Sequence, residues 1–238
     1  MITIYQTNNL KCAQNCIMQA LSRTDQRNLD VKHVIIVPDR ASYEAEKALI
    51  ATLGGSFNTE VLTFRRLANR FLPAHRYLSK QSGIIALSKI INNLKGDFTC
   101  YVNGTSQSGF VANMYDTISQ LKYCNVAPQS LFDTNLPPSL SSKLHDIGLI
   151  YQAYQQFLQG NYVDSSDKLQ LLYNQLDSGT KIANYYFYLY DFDNFSAQEY
   201  ALIRQFAKHS RGVTVACPTS TKPRDAHLYL NDIYGGIM

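Results

Sequence analysis

The stretch "ITIYQTNNLKCAQNCIMQAL", residues 2–21, opens on an apolar alternation at Ile2 and Ile4, turns through polar residues from Gln6 to Asn9, and runs on as a helix-like segment. Strand, tight turn and helix in this order form the layout in which α/β proteins cradle a nucleotide phosphate. The turn here contains no glycine, and no Gly-Lys-Ser/Thr follows it. A phosphate loop needs several successive N–H groups turned inward, which only glycines allow, together with a lysine that reaches the terminal phosphates. Asparagine tolerates left-handed backbone but does not replace a run of glycines. Asn8, Asn9 and Lys11 therefore mark a degenerate nucleotide site. Lys11 keeps the option of meeting an anion at a helix N-terminus, without ATP hydrolysis.

Working outward, four further segments read as strands. They are "VKHVIIVPD" (31–39), "TEVLTF" (59–64), "YYFYLYDF" (185–192) and "VTVACP" (213–218). Their near-continuous apolar character suits strands covered on both faces, as in a parallel sheet. Helices alternate with them. Ser42 is placed to cap one that stops at Gly54-Gly55. Phe64, Leu67, Ala68, Phe71 and Leu72 then fall on one helical stripe, leaving Arg65, Arg66, Asn69 and Arg70 toward solvent. Between about residues 80 and 178 no strand pattern appears, and helical stripes run through Val111–Leu121, Leu144–Leu158 and Leu169–Leu176. The expected fold is α/β, a parallel sheet over 1–76 and 180–238 interrupted by an all-helical insertion at 77–179.

Composition adds limits. The 238 residues are 45% hydrophobic, enough for one large domain or a domain with an insertion. Net charge is +4, too small to identify a partner, but residues 61–95 carry seven Lys and Arg with no Asp or Glu. The rest is thus net negative, and a basic segment on an acidic body fits a polyanion-facing surface or a solvated helical face. Five cysteines, Cys12, Cys16, Cys100, Cys124 and Cys217, stand without zinc-type spacing. Their odd number and the lack of a secretory leader point to reduced thiols and a cytoplasmic protein, which makes sequons at Asn103 and Asn194 irrelevant. No apolar run approaches the ~18 residues of a membrane span.

Chemistry concentrates in two further places. In "LYDFDNFSAQE" (189–199) a strand ends at Asp191 and Asp193, either the remnant of a Mg²⁺-holding edge in the degenerate nucleotide site or loop carboxylates near a helix N-terminus. Glu199 resembles a catalytic partner, but Ser196 and Glu199 have capping-box spacing, and Phe195 with Tyr200 has that of a hydrophobic staple. In "EVLTFRRLANRF" (60–71) a strand delivers Thr63 and Phe64 to a helix start where a hydroxyl, backbone amides, Arg65 and Arg66 converge. Such groups track phosphodiester oxygens. Phe64 serves either as a stacking ring or, by its stripe, as core. The five histidines have no motif context, and no catalytic residue is assigned.

These pieces together resemble the N-terminal part of the B subunit of AddAB/RexAB-type ATP-dependent helicase–nucleases. "VIIVPDRASYEAEKALI" (34–50) and "EVLTFRRLANRFL" (60–72) are similar to that family's second and third strand–helix units. "ISQLKYCNVAPQSL" (118–131), "KLHDIGLIYQAYQQFL" (143–158) and "YVDSSDKLQLL" (162–172) resemble its helical insertion, and "YLYDFDNFSAQEYALI" (188–203) its acidic motif. The specificity lies in their succession. The resemblance implies a RecA-like sheet like domain 1A of superfamily 1 helicases, with a 1B-like helical insertion. It also implies a heterodimer in which the A subunit is the motor, and DNA processing in double-strand break repair and recombination.

The missing glycines bring the sequence closer to a RexB-like branch. The family's nuclease domain, nuclease metal and iron–sulfur cysteines would lie beyond this stretch, and the ending "LNDIYGGIM" is expected to be a truncation. No cofactor is expected in the segment itself, with ATP and Mg²⁺ at the partner subunit. The expected role is a non-hydrolysing DNA-handling module in which Thr63, Arg65, Arg66 and Arg70 contact phosphates. The rivals are a docking module for the motor partner and an NTPase with an atypical site at Lys11 and Asp191.

Overall fold

The computed structural model describes residues 1–24, 28–72, 76–102, 109–132, 136–160, 162–177 and 182–218. His75, the sequon at Asn103, the expected boundary at 179/180, His227 and the final residues from 219 onward lie outside these. The elements follow in the order β1 (Ile2–Thr7), α1 (Leu10–Ser22), β2 (Lys32–Ile36), α2 (Ser42–Leu53), β3 (Thr59–Leu62), α3 (Phe64–Phe71), β4 (Tyr77–Leu78), α4 (Lys80–Asn93), α5 (Phe110–Tyr123), α6 (Pro138–Leu158), β5 (Val163–Asp164), α7 (Lys168–Asp177), β6 (Tyr185–Tyr190), α8 (Ala197–His209) and β7 (Gly212–Pro218). The chain divides into two compact units, residues 1–73 with 169–238, and residues 74–168.

The first unit is built on a five-stranded, all-parallel sheet of order β1-β7-β6-β2-β3. Every strand predicted from sequence is present. Successive residues point to opposite faces, so each central strand feeds two cores. Val34, Ile36, Phe187, Leu189, Val213 and Val215 join Phe64, Leu67 and Ala68 of α3 and Leu202, Ile203 and Phe206 of α8. Their neighbours Ile35, Tyr188, Tyr190 and Ala216 turn the other way, onto Ala13, Ile17 and Leu21 of α1 and Ala45 and Leu49 of α2. This is a three-layer, RecA-like α/β arrangement. The steps from β1 to β2 to β3 cross the sheet in one direction and those to β6 and β7 return. Crossovers of a single hand must then place the outgoing and returning helices on opposite faces, as they are here.

Residues 169–177 depart from the sequence reading. Their leucine stripe reads in sequence as part of the insertion, yet Leu172 and Leu176 are buried in the sheet unit's own core beside α3 and α8. Ser42 also differs. A 3-10 turn, Asp39–Ala41, starts directly after Pro38, so Ser42 is the first residue of α2 and Ala41 takes the cap position. Gly54 ends α2 as predicted, at φ 68° with its N–H on the Ile50 carbonyl.

The second unit packs α4, α5 and α6 around Leu87, Ile91, Met114, Ile118, Ile150 and Tyr154. It also contains one short parallel ladder between β4 and β5. Gly83 of α4 permits close approach, because a Cβ there would lie 2.5 Å from the Tyr115 ring and 2.9 Å from the Tyr154 hydroxyl. Under this crossing lies a buried polar cluster. Tyr115 and Tyr154 donate to the Asp164 carboxylate at 2.7 and 3.1 Å, and Lys122 reaches Asp167 at 2.7 Å and Asp164 at 3.7 Å. Asp146, wholly buried, accepts from the N–H groups of Thr99, Cys100 and Tyr101. Those three bonds hold its carboxyl below the usual range against the opposing pull of burial.

Candidate functional site

In a parallel sheet all carboxyl ends lie on one edge, and ligands bind where adjacent strands send their connections to opposite faces. β2 leads to α2 on one face, whereas β6 leads to α8 on the other. The crevice at their shared edge is thus the place to look for a site. The sequence-predicted Asp191 and Asp193 stand there, just after β6, and the turn Asp39–Ala41 stands opposite, just after β2.

Asp191 adopts left-handed backbone, φ 67°, which aspartate tolerates better than most residues. The Arg40 guanidinium donates to its carbonyl at 2.8 Å, lies 3.8 Å from its carboxylate and pairs with Asp193 at 3.2 Å. Burial raises the Asp191 carboxyl above its ordinary range, Arg40 opposes that shift, and Asp193 adds to it. A divalent ion at this edge would need these carboxylates. A side-chain cation, Arg40, faces both of them in this structure. Among the described residues no group of three or more His, Cys, Asp or Glu gathers at metal-binding distance.

The turn after β1 is closed in the same manner. Thr7 is buried and its hydroxyl reaches the Cys217 carbonyl at 3.2 Å. Asn9 is the N-cap of α1, with its side-chain oxygen accepting from the Cys12 N–H at 2.8 Å. That N–H belongs to the set a bound phosphate would use, and the cap satisfies it. Asn8 and Lys11 are exposed beside it.

The third predicted element starts at Thr63. Its hydroxyl is not presented to solvent: Thr63 is buried and accepts from the Arg66 N–H at 3.3 Å as the cap of α3. Phe64 is core, packed against Phe192 and Phe195. The arginines project outward, each opposite a carboxylate from another element. Arg65 faces Asp39 at 3.5 Å, Arg66 faces Glu46 at 3.9 Å and Arg70 faces Glu60 at 2.9 Å. The basic run is therefore partly neutralised in three dimensions by acids preceding residue 61. Glu199 completes a capping box: its side chain accepts from the Ser196 N–H at 2.7 Å, while the Ser196 hydroxyl accepts from the Glu199 N–H. Phe195 and Tyr200 meet as a staple, ring centroids 5.4 Å apart.

Sequence reasoning missed Arg40. It stands 151 residues from its partner, and no local spacing links a cation after one strand to two carboxylates after another. A parallel-sheet prediction did contain a usable signal, since it sends both strand ends to one edge. All five cysteines are free thiols. Among the described residues, no helix is long and apolar enough to cross a membrane.

Comparison with known proteins bears on this arrangement. Residues 12–234 match the family described as "ADDB, N-terminal". The chain is 31% identical over 199 residues to the B subunit of the ATP-dependent helicase/deoxyribonuclease of Clostridium kluyveri, covering 79% of this chain and 17% of that protein. It is 28% identical over 232 residues to the protein of the same name from Clostridium acetobutylicum, covering 93% of this chain and 20% of the relative. The corresponding B subunit from Clostridium novyi is 28% identical over 200 residues, 80% of this chain and 18% of its own length. The chain thus spans about a fifth of the length of these relatives. A RecA-like sheet and a match over most of its length place the chain in the AddB N-terminal family.

Proposed function

We propose that this chain is a non-hydrolysing, helicase-like DNA-handling module of a helicase–nuclease B subunit, working beside the motor protein of a heterodimer in the cytoplasm in double-strand break repair and recombination. One observation carries the non-hydrolysing part: both halves of the expected nucleotide site are filled by protein groups. Asn9 caps the helix N–H that a phosphate would occupy, and Arg40 takes the carboxylates that a metal would need. The fold is that of a motor, and its helical insertion, expected from sequence at 77–179, would correspond to the compact unit 74–168. ATP and Mg²⁺ act at the partner, and the nuclease metal and iron–sulfur cluster belong to parts of such B subunits outside this segment.

Arg65, Arg66 and Arg70 are the proposed phosphate contacts, with Thr63 fixing the helix start that aims them. Their ion pairs are exposed, and exposed pairs contribute only about 0–1 kcal/mol. A phosphodiester can take the place of each carboxylate at little cost. Changing Arg65 and Arg66 together to Ala is expected to weaken DNA binding by the assembled complex. It should also flatten the dependence on salt by about 0.7–0.9 in log–log slope for each phosphate no longer neutralised. Unchanged affinity and slope would remove the arginines from the interface.

A second reading has one observation in its favour. Each arginine already accepts a carboxylate partner, so an acidic face of the motor protein would satisfy them equally well. Cross-links from residues 65 and 66 to protein rather than to DNA select that alternative.

A further inference from the structure

We infer a second DNA-binding surface, distinct from the sheet edge: a base-stacking platform for single-stranded DNA on the helical unit, made by Phe157 and Tyr162 with Arg76 alongside. The inference rests on the DNA-handling role proposed above.

Three rings form a graded stack. Tyr154 is wholly buried, and its hydroxyl is fixed on Asp164. Phe157 lies nearly parallel to it, centroids 6.5 Å apart and planes 15° apart, and is 39% exposed. Tyr162 stacks in turn on Phe157 at 5.7 Å and 18°, and is 37% exposed. Offset stacking of this kind is the favoured geometry of aromatic pairs, and it leaves the outer rings accessible at the surface. Every nucleobase has a π-face that can continue such a stack, whatever its sequence. A base in duplex DNA is already stacked on both sides, so the platform suits an unpaired strand.

The platform is held before any ligand arrives. Helix α6 ends at Leu158, Gly160 turns the chain at φ 76°, and the Tyr162 N–H returns to the Leu158 carbonyl at 3.1 Å. The next residue pairs with β4, where the Val163 N–H meets the Arg76 carbonyl at 3.0 Å and Tyr77 is the register partner of Val163. Exposed Arg76 and Tyr162 each precede the first residue of that parallel pair, so the backbone brings them in side by side. Arg76 is then placed for the phosphate of a stacked nucleotide. A second cation, Lys168, lies 4.0 Å from the centre of the Tyr77 ring. The acids nearest in sequence turn inward: Asp164 binds the Tyr115 and Tyr154 hydroxyls, and Asp167 binds Lys122. The surface thus combines aromatic rings with positive charge, the two ingredients of sequence-tolerant single-strand binding.

The test uses the 238-residue chain and a short single-stranded oligonucleotide carrying one 2-aminopurine, with a duplex of the same sequence as control. Binding is expected to quench the probe by stacking. Tyr162→Ala should abolish the quench and weaken single-strand affinity about five- to tenfold. Tyr162→Phe, which keeps the ring, should behave as the unchanged chain. Circular dichroism checks the fold, and because Tyr162 follows the helix end, its variants decide the matter if Phe157→Ala unfolds. Unchanged quench and affinity in Tyr162→Ala overturn the platform, as does a Phe variant as weak as Ala. If those variants bind normally while Arg65→Ala/Arg66→Ala binds poorly, the platform falls and the DNA-handling role stands. If the unchanged chain binds neither oligonucleotide, the platform falls, while the DNA-handling role is decided by the assembled complex.

Discussion

The sheet's carboxyl edge and the interior of the helical unit both place basic side chains against carboxylates, with opposite consequences. At the edge, Arg65 and Arg66 meet their acids with more than half of each arginine side chain in water. In the helical unit, Lys122 is 3% exposed and Asp164 1%. An exposed pair is screened, weak and exchangeable. A buried pair contributes little net stability once desolvation is counted, but removing one partner strands a charge in low dielectric. Identical residue types therefore build a replaceable surface in one place and a fixed joint in the other. The exposed pairs can exchange partners at little cost, and the cluster under Gly83 is suited to holding helices in register.

The largest expected effect is at the joint. Lys122→Met leaves Asp164 and Asp167 without their cation, and breaking buried pairs in this way costs about 3–5 kcal/mol. Urea unfolding of the 238-residue chain measures it. A loss below about 1 kcal/mol would erase the contrast, since Lys122 would then behave as a surface charge. Helical content should fall with the same transition, because Lys122 on α5 is what reaches the acids at and after β5.

A smaller effect belongs to a buried group with no ion pair. His33 lies between Tyr186 and Tyr188, with its Nδ1 3.2 Å from the Tyr188 hydroxyl, and burial lowers its pKa from the ordinary 6.5. The unfolded chain takes up a proton near 6.5, and the folded one resists it. The stability from neutral His33 is therefore intact above pH 6.5 and declines as pH falls from there through the depressed folded value. The slope is at most about 1.4 kcal/mol per pH unit. Denaturation of the unchanged chain and of His33→Gln at about pH 5 and about pH 7.5 should show this slope in the former and a flatter profile in the latter. Equal slopes would assign the acid sensitivity elsewhere.

Legibility of the sequence followed the range of the interactions. The strands were readable because apolar residues on both faces of a segment are a local pattern, as in "VIIV" at 34–37. The capping box at Ser196 and the terminating Gly54 were readable for the same reason, since each closes within four residues. Ser42 passes for a cap in the sequence, and fails as one because Pro38 starts its own turn earlier in the chain. The leucines of α7 announced burial without saying against what, and only the fold assigns them to the sheet unit. The basic segment misled most simply: a window opening at residue 61 excludes Glu60, the partner of Arg70, together with Asp39 and Glu46. The candidate residues could be named from the sequence, whereas the capping of α1 by Asn9 and the pairing of Arg40 with Asp191 and Asp193 could not. An asparagine at a turn and an arginine after a proline acquire that meaning only where strands share an edge.

The smallest expected change in stability comes from the residues with the largest proposed part in binding. Arg65 and Arg66 pair with Asp39 and Glu46 at 3.5 and 3.9 Å across a solvated surface. Replacing both with Ala should move the unfolding free energy by no more than about 1 kcal/mol, because each carboxylate left behind is rehydrated rather than stranded. A real contribution from the pairs would weaken in salt, since ions screen exposed charges within about 10 Å at 0.1 M. The double variant and the unchanged chain should thus converge in stability as salt rises, while the Lys122→Met variant should keep its deficit. A double variant that loses several kcal/mol at every salt concentration would mean that these arginines anchor α3 to the turn after β2 and to α2. They would then be structural, and free exchange of their carboxylates for phosphates would no longer be available.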